Sequence, residues 1–120
     1  MFDHIGLKVS DLDAGVRFYT AALEPLGFVL CSRDAAGAGF GPEGAPALWL
    51  SAAPGAARGG FHVALRAAER GAVEAFYKAG LAAGGRDNGG PGLRADYGPR
   101  YFAAFLIDPD GNNVEAVCNR

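Results

Sequence analysis

At 120 residues, half of them apolar and a fifth charged, the chain has the length of one domain and enough apolar side chain to bury a real core. A formal net charge of −2, scattered rather than in runs, gives no basic field for nucleic acid. No apolar run approaches the roughly 20 residues of a membrane span, and the opening MFDHIGLKVSD lacks the basic, apolar and small-residue succession of a secretory leader, so a soluble cytoplasmic protein is expected.

In chain order, FDHIGLKV (2–9) reads as a strand entering a core, with Ser10 or Asp11 placed to cap a following helix. Leu12, Val16, Tyr19, Leu23 and Leu26 fall at helical spacing, and Gly27 ends the run. Short strands are then predicted near FVLCSR (28–33), GAGFG (37–41) and PALWLSA (46–52), separated by Gly and Pro turns. PGAARGG (54–60) is a connector. A strand at GFHVALR (60–66) and a helix over 69–83 lead to a long Gly-rich stretch, 84–100, which reads either as a lid over a site or as a weak strand broken by a turn. YFAAFLI (101–107) and NVEAVC (113–118) are strands, and DPDGN (108–112) between them makes a hairpin turn. Cys31 and Cys118 are too few and too distant for a disulfide scaffold or a Cys-based zinc site and read as reduced thiols.

The two halves repeat. At a shift of 58 residues, His4 falls on His62, Leu7 on Leu65, Phe18 on Phe76, Tyr19 on Tyr77 and Gly27 on Gly85, with eight identities over 24 positions. The order βαβββ therefore occurs twice in one domain: module 1–53, linker 54–59 and module 60–120.

The only two histidines, His4 and His62, occupy corresponding places, so a pseudo-twofold arrangement can bring one imidazole from each module to a common axis. Glu115 lies between valines on the last strand, at 114 and 117. Two imidazoles and a carboxylate suit a borderline divalent metal and leave coordination positions open. The plainer alternative is two half-buried histidines at strand edges and a solvated glutamate.

The doubled βαβββ order, the opening H-I-G-L-x-V-x-D-L, the F-Y pair in each helix and the closing D-P-D-G-N-x-x-E resemble the vicinal oxygen chelate superfamily, nearly end to end. That superfamily includes glyoxalase I, extradiol dioxygenases, fosfomycin thiol transferases and bleomycin-resistance proteins. The resemblance implies an α+β glyoxalase-like fold, in which curled mixed sheets surround a cup. It implies His4, His62 and Glu115 as ligands of one divalent metal (Fe, Mn, Zn or Ni), Glu115 as a catalytic group, a small-molecule substrate and a homodimer with modules paired within or between chains.

The fourth symmetry-related place, on the last strand of the first module, aligns with Trp49, and no residue from 45 to 53 is Glu, Gln, Asp or His. Glyoxalase I has a Glu or Gln there, so a true lactoylglutathione lyase is disfavoured. Two-histidine, one-glutamate dioxygenases and thiol transferases resemble the chain better. Trp49, Tyr101 and Phe105 form a candidate aromatic wall for substrate, with Arg86, Arg94 and Arg100 as basic candidates and Arg100 the one nearest that wall in sequence. The competing expectation is a module that sequesters a drug or metabolite without chemistry.

Overall fold

The computed structural model describes residues 1–120. Each module begins with a strand and a helix, β1 (Ile5–Val9) with α1 (Leu12–Leu23) and β5 (His62–Arg66) with α2 (Arg70–Ala82). The first continues through β2 (Val29–Arg33), β3 (Gly37–Gly41) and β4 (Leu48–Ala52). The second continues through β6 (Arg86–Asp87), β7 (Gly92–Leu93), β8 (Phe102–Ile107) and β9 (Asn113–Cys118). The first sheet runs β1-β4-β3-β2 and the second β5-β9-β8-β6, with β7 also on β8. In each, the first strand lies parallel to the last, Leu7 opposite Leu50 and Ala64 opposite Glu115, while the remaining pairs are antiparallel. These are two open, curled mixed sheets, the α+β arrangement that the repeat implies.

Asp11 caps α1 by accepting from the Ala14 amide at 3.1 Å. The helical run expected to reach Leu26 stops at Leu23, and Glu24–Leu26 tightens into a 3₁₀ turn. Pro25 has no N–H with which to continue the α-helical ladder. Gly27, at φ 86°, turns the chain out as a left-handed cap.

The stretch 84–100 is largely the broken strand. β6 and β7 both pair with β8, and between them Asn88 donates to the Phe105 carbonyl at 3.0 Å and Phe105 to that of Gly89 at 2.8 Å. One edge strand therefore runs from 86 to 93 with a Gly-Gly-Pro interruption, and only 94–100 is turn.

A single cluster of 20 buried residues draws on both modules: Leu7, Val9, Phe40, Leu48 and Leu50 from the first sheet, Leu106, Val114 and Ala116 from the second, and Phe18, Tyr19, Val73 and Phe76 from the helices. Strand alternation leaves Trp49 and Glu115 on the faces turned away from this core. The helices meet where Gly80 of α2 lies under Phe18 and Ala22 of α1 and against Leu106.

The DPDGN turn ties the modules together. Asp108 accepts from the amides of Asp110 and Asn112 (2.9 and 2.8 Å) and, buried, from the Tyr19 hydroxyl of α1 at 2.5 Å. Asp110 accepts from the Ser10 amide at 2.9 Å and from its hydroxyl, and Arg58 of the linker lies 3.7 Å away. Burial first, and then the charge of Asp108, hold the Tyr19 hydroxyl well above the ordinary tyrosine range. An unfolded tyrosine releases its proton from about pH 10, whereas the folded one keeps it. The stability this group contributes below pH 10 is therefore lost as pH rises beyond that point, at about 1.4 kcal/mol per pH unit. Urea midpoints measured at pH 8, 10 and 11 should fall steeply above pH 10, and Tyr19→Phe should flatten that fall.

Candidate functional site

On the outward face of the second sheet, β5, β8 and β9 place His62, Phe105 and Glu115 together. Phe105 stands opposite Glu115 in register, and His62 beside Asn113. His62 Nε2 lies 3.2 Å from Glu115 Oε1. Glu115, although on this outward face, is only 3% exposed, so it is not the solvated glutamate of the plainer alternative. Its other oxygen, Oε2, accepts a short hydrogen bond from the Tyr101 hydroxyl. That contact brings in a residue from just before β8, and burial together with Glu115 pushes the Tyr101 hydroxyl up to about 12. The Phe105 ring stacks on the His62 imidazole, centroids 6.5 Å apart at 22°.

The imidazole protons follow from the partners. His62 Nδ1 lies 3.1 Å from the Asn113 carbonyl, which can only accept, so Nδ1 carries hydrogen and donates. His4 Nδ1 lies 2.6 Å from Asp3 Oδ1 and donates likewise. Both rings thus present Nε2 outward. Donation of the other ring nitrogen to a carbonyl or carboxylate is the arrangement that orients metal-binding histidines. On His62, Nε2 lies 3.2 Å from a carboxylate oxygen, a contact that either a proton or a cation between the two atoms satisfies.

Within one chain, the three proposed ligands do not converge. No group of three His, Cys, Asp or Glu side chains is close enough together to hold a metal ion. His62 and Glu115 form a pair on the second sheet, whereas His4 stands exposed just before β1, an edge strand of the first. Beside His4, an apolar cavity of about 150 Å³ opens between the modules, lined by Phe2, Ile5, Phe28, Leu48, Val63 and Leu65 among others.

Trp49 is on the first sheet, away from Tyr101 and Phe105, and covers Gly39. A Cβ at Gly39 would lie 2.7 Å from the indole, so this glycine makes the bare floor on which the ring rests. The aromatic residues therefore split as the ligands do, Trp49 on one sheet and Tyr101 with Phe105 on the other. Arg100 lies exposed in the turn before β8. The second arginine of the loop, Arg94, is instead held over Phe105, 5.3 Å from guanidinium carbon to ring centre. Sequence reading missed that placement, along with the Asp3 and Asn113 partners of the histidines. The adjacent Asp-His pair at 3–4 and the glycines before Arg94 were the available signals.

Cys31 and Cys118 are both free thiols, the second buried. No helix is long and apolar enough to cross a membrane.

A model of the glyoxalase/bleomycin resistance protein/dioxygenase superfamily matches residues 1–116. Among solved structures, a glyoxalase/bleomycin resistance protein from Albidiferax ferrireducens T118 superposes with a TM-score of 0.84 at 28% identity, over 100% of this chain and 99% of that one. The bleomycin resistance determinant encoded on transposon Tn5 superposes at 0.66 with 27% identity, over 96% and 94%. A glyoxalase-related enzyme from Fulvimarina pelagi, at 21% identity and a TM-score of 0.75 over 96% and 85%, shares the fold. Among curated proteins none matches significantly. With the doubled βαβββ order and the match over nearly its whole length, the chain belongs to the glyoxalase/bleomycin resistance protein/dioxygenase superfamily.

Proposed function

We propose that the protein is a divalent-metal enzyme acting on a small oxygen-chelating molecule, and that its metal is held by His62 and Glu115 of one chain and His4 of a second copy. The observation that carries this reading is the approach of His62 Nε2 to Glu115 Oε1, 3.2 Å apart, with Nδ1 committed as a donor to Asn113. The donor set, imidazole and carboxylate, fits Zn, Fe, Mn or Ni. His4, exposed and oriented by Asp3, is a third donor with no site of its own in its chain. In a twofold dimer each such half-site meets its complement twice.

When bound, the metal would offer open positions to substrate oxygens and stabilise negative charge developing there. The chain's own residues prepare that place. Tyr101 holds Glu115 Oε2, which leaves Oε1 turned toward His62. Glu115, if released by the metal, serves as a base. Phe105 and, from the first sheet of the second copy, the partner's Trp49 supply apolar surface for a partly apolar substrate. The reaction is of lyase, dioxygenase or thiol-transferase type, and Trp49 in the fourth symmetry-related place argues against lactoylglutathione lyase, because an indole ligates no metal.

Metal content and light scattering test the reading. Wild type should be a dimer with about one metal per chain, and His4→Ala and His62→Ala should each lose it. The two variants co-refolded in equal amounts should regain metal at about a quarter of the wild-type level, because about half of the dimers are mixed and each mixed dimer contains one intact site and one doubly altered site. Metal content unaffected by either substitution would overturn the site. No recovery on mixing would place His4 and His62 at one site of a single chain.

A further inference from the structure

We propose that Arg94 anchors an anionic arm of the substrate, so that the molecule taken is an oxygen chelator that also carries a carboxylate, phosphate or phosphonate. This rests on the metal-enzyme reading above and adds the substrate's charge to it. Arg94 is half-buried, and its guanidinium is fixed on three sides. Nη1 donates to the Gly92 carbonyl at 2.9 Å, Nη2 to that of Gly90 at 2.7 Å, and its plane lies over Phe105.

The Gly-rich interruption of the edge strand is shaped to this side chain. A Cβ at Gly89 would come within 3.2 Å of Nη2 and of the Phe105 ring, and one at Gly92 within 3.3 Å of Nη1. Gly89 also has φ 139°, which other residues rarely adopt. The segment NGGPGLR is therefore a cradle that holds one guanidinium against one ring.

The charge so held has no counterion. No carboxylate lies within salt-bridge distance of Arg94. Of the acids on the neighbouring strands, Asp87 accepts from the Tyr77 hydroxyl and the Gly89 amide, and Glu115 from Tyr101 with His62 beside it, while Asp96 in the following turn is exposed and forms no ion pair with Arg94. Two carbonyls take two of the five N–H donors of an arginine, and the rest stay free for a planar anion. Phe105 carries His62 as well as Arg94 against its ring, so the free cation stands one phenyl ring from the proposed metal ligands. A substrate whose chelating oxygens sit at His62 and Glu115 would place its anionic arm past the Phe105 ring, against the guanidinium.

Two probes that differ only in charge test this. Acetohydroxamate is a bidentate oxygen chelator without an anionic arm, and succinic monohydroxamate is the same chelator with a carboxylate. On the zinc-loaded full chain, titration calorimetry should give about tenfold or greater preference for the carboxylate form, in the range of a charge-assisted contact. Arg94→Gln should remove that preference and leave acetohydroxamate affinity unchanged, and Arg94→Lys should restore only part of it. Equal affinities in wild type, or a preference that survives Arg94→Gln, would overturn the proposal.

Failure of both hydroxamates to bind would instead count against the metal site. In that event metal-free protein titrated with inorganic phosphate decides on Arg94. A saturable shift of its Nε–H resonance supports the anion site, and no saturable shift overturns it.

Discussion

Asp108→Ala should cost about 4 kcal/mol of folding stability, the largest single-residue effect expected outside the proposed metal site. The substitution leaves the Tyr19 hydroxyl without its partner at a position with no access to water, and frees the amides of Asp110 and Asn112 that shape the turn. Each buried donor stranded in this way costs about 1–3 kcal/mol, with the contributions less than additive within one network. Against a total of roughly 5–15 kcal/mol for a domain, that is about a quarter or more of the reserve. At about 4–8 °C per kcal/mol for a chain near this size, the melting temperature should fall by some 15–30 °C. Tyr19→Phe removes only one donor and should cost far less, about 1–2 kcal/mol. Differential scanning calorimetry of the two variants ranks them directly. Equal, small losses would mean that the turn is held by its backbone alone.

Gly80→Val should destabilise by about 3 kcal/mol, and even Gly80→Ala should be unfavourable. In an open helix, alanine for glycine gains up to about 1 kcal/mol of propensity. Here the new Cβ would stand 2.3 Å from Leu106 Cδ1 and 3.2 Å from Phe18 Cε1, both on fully buried side chains. Overpacking of that kind typically costs about 1–3 kcal/mol, and the valine methyls add to it. The compensating change is predictable too. Leu106→Ala, which opens a cavity by itself, should cost less in the Gly80→Ala background than alone, and a double-mutant cycle by urea unfolding measures the difference. Stabilisation by Gly80→Ala would show that α1 and α2 do not meet at this glycine.

The elements of the fold were legible because each carried local punctuation. Asp11 and Gly27 bracket the first helix, DPDGN separates the last two strands, and the two histidines align the modules. The helix end was misplaced because Leu26 keeps the helical spacing while Pro25 breaks the hydrogen-bond ladder, and spacing says nothing of ladders. At the site, sequence reading grouped His4, His62 and Glu115 as ligands and Trp49, Tyr101 and Phe105 as a wall; the structure brings His62, Glu115, Tyr101 and Phe105 together and leaves His4 and Trp49 with the first sheet. It could not tell which copy of each module faces which. The repeat makes His4 and His62 equivalent, yet equivalence fixes a symmetry without naming the chain that supplies each half. Arg94 was one of three basic candidates, and its place over Phe105 escaped because arginine in a glycine-rich loop usually points into water. Only the positions of Gly89, Gly92 and Phe105 around it reveal that this one does not.

The pairing of each module's first strand with its last also governs the order in which the protein assembles. Ile5 waits for Leu48 and His62 for Asn113, so neither sheet can close while its final strand is missing. The link from Ser10 to Asp110 spans 100 residues, so even the first module gains its last anchorage only when the second is nearly whole. Contacts so distant along the chain incur loop-closure entropy before they return any stability, which slows folding relative to a helical domain of equal length. On the ribosome, the first module emerges with β1 able to pair only with β4, and its inward face meets α2 and β8 later. The duplicated sequence thus builds an asymmetric process: two similar halves, of which the second completes the first.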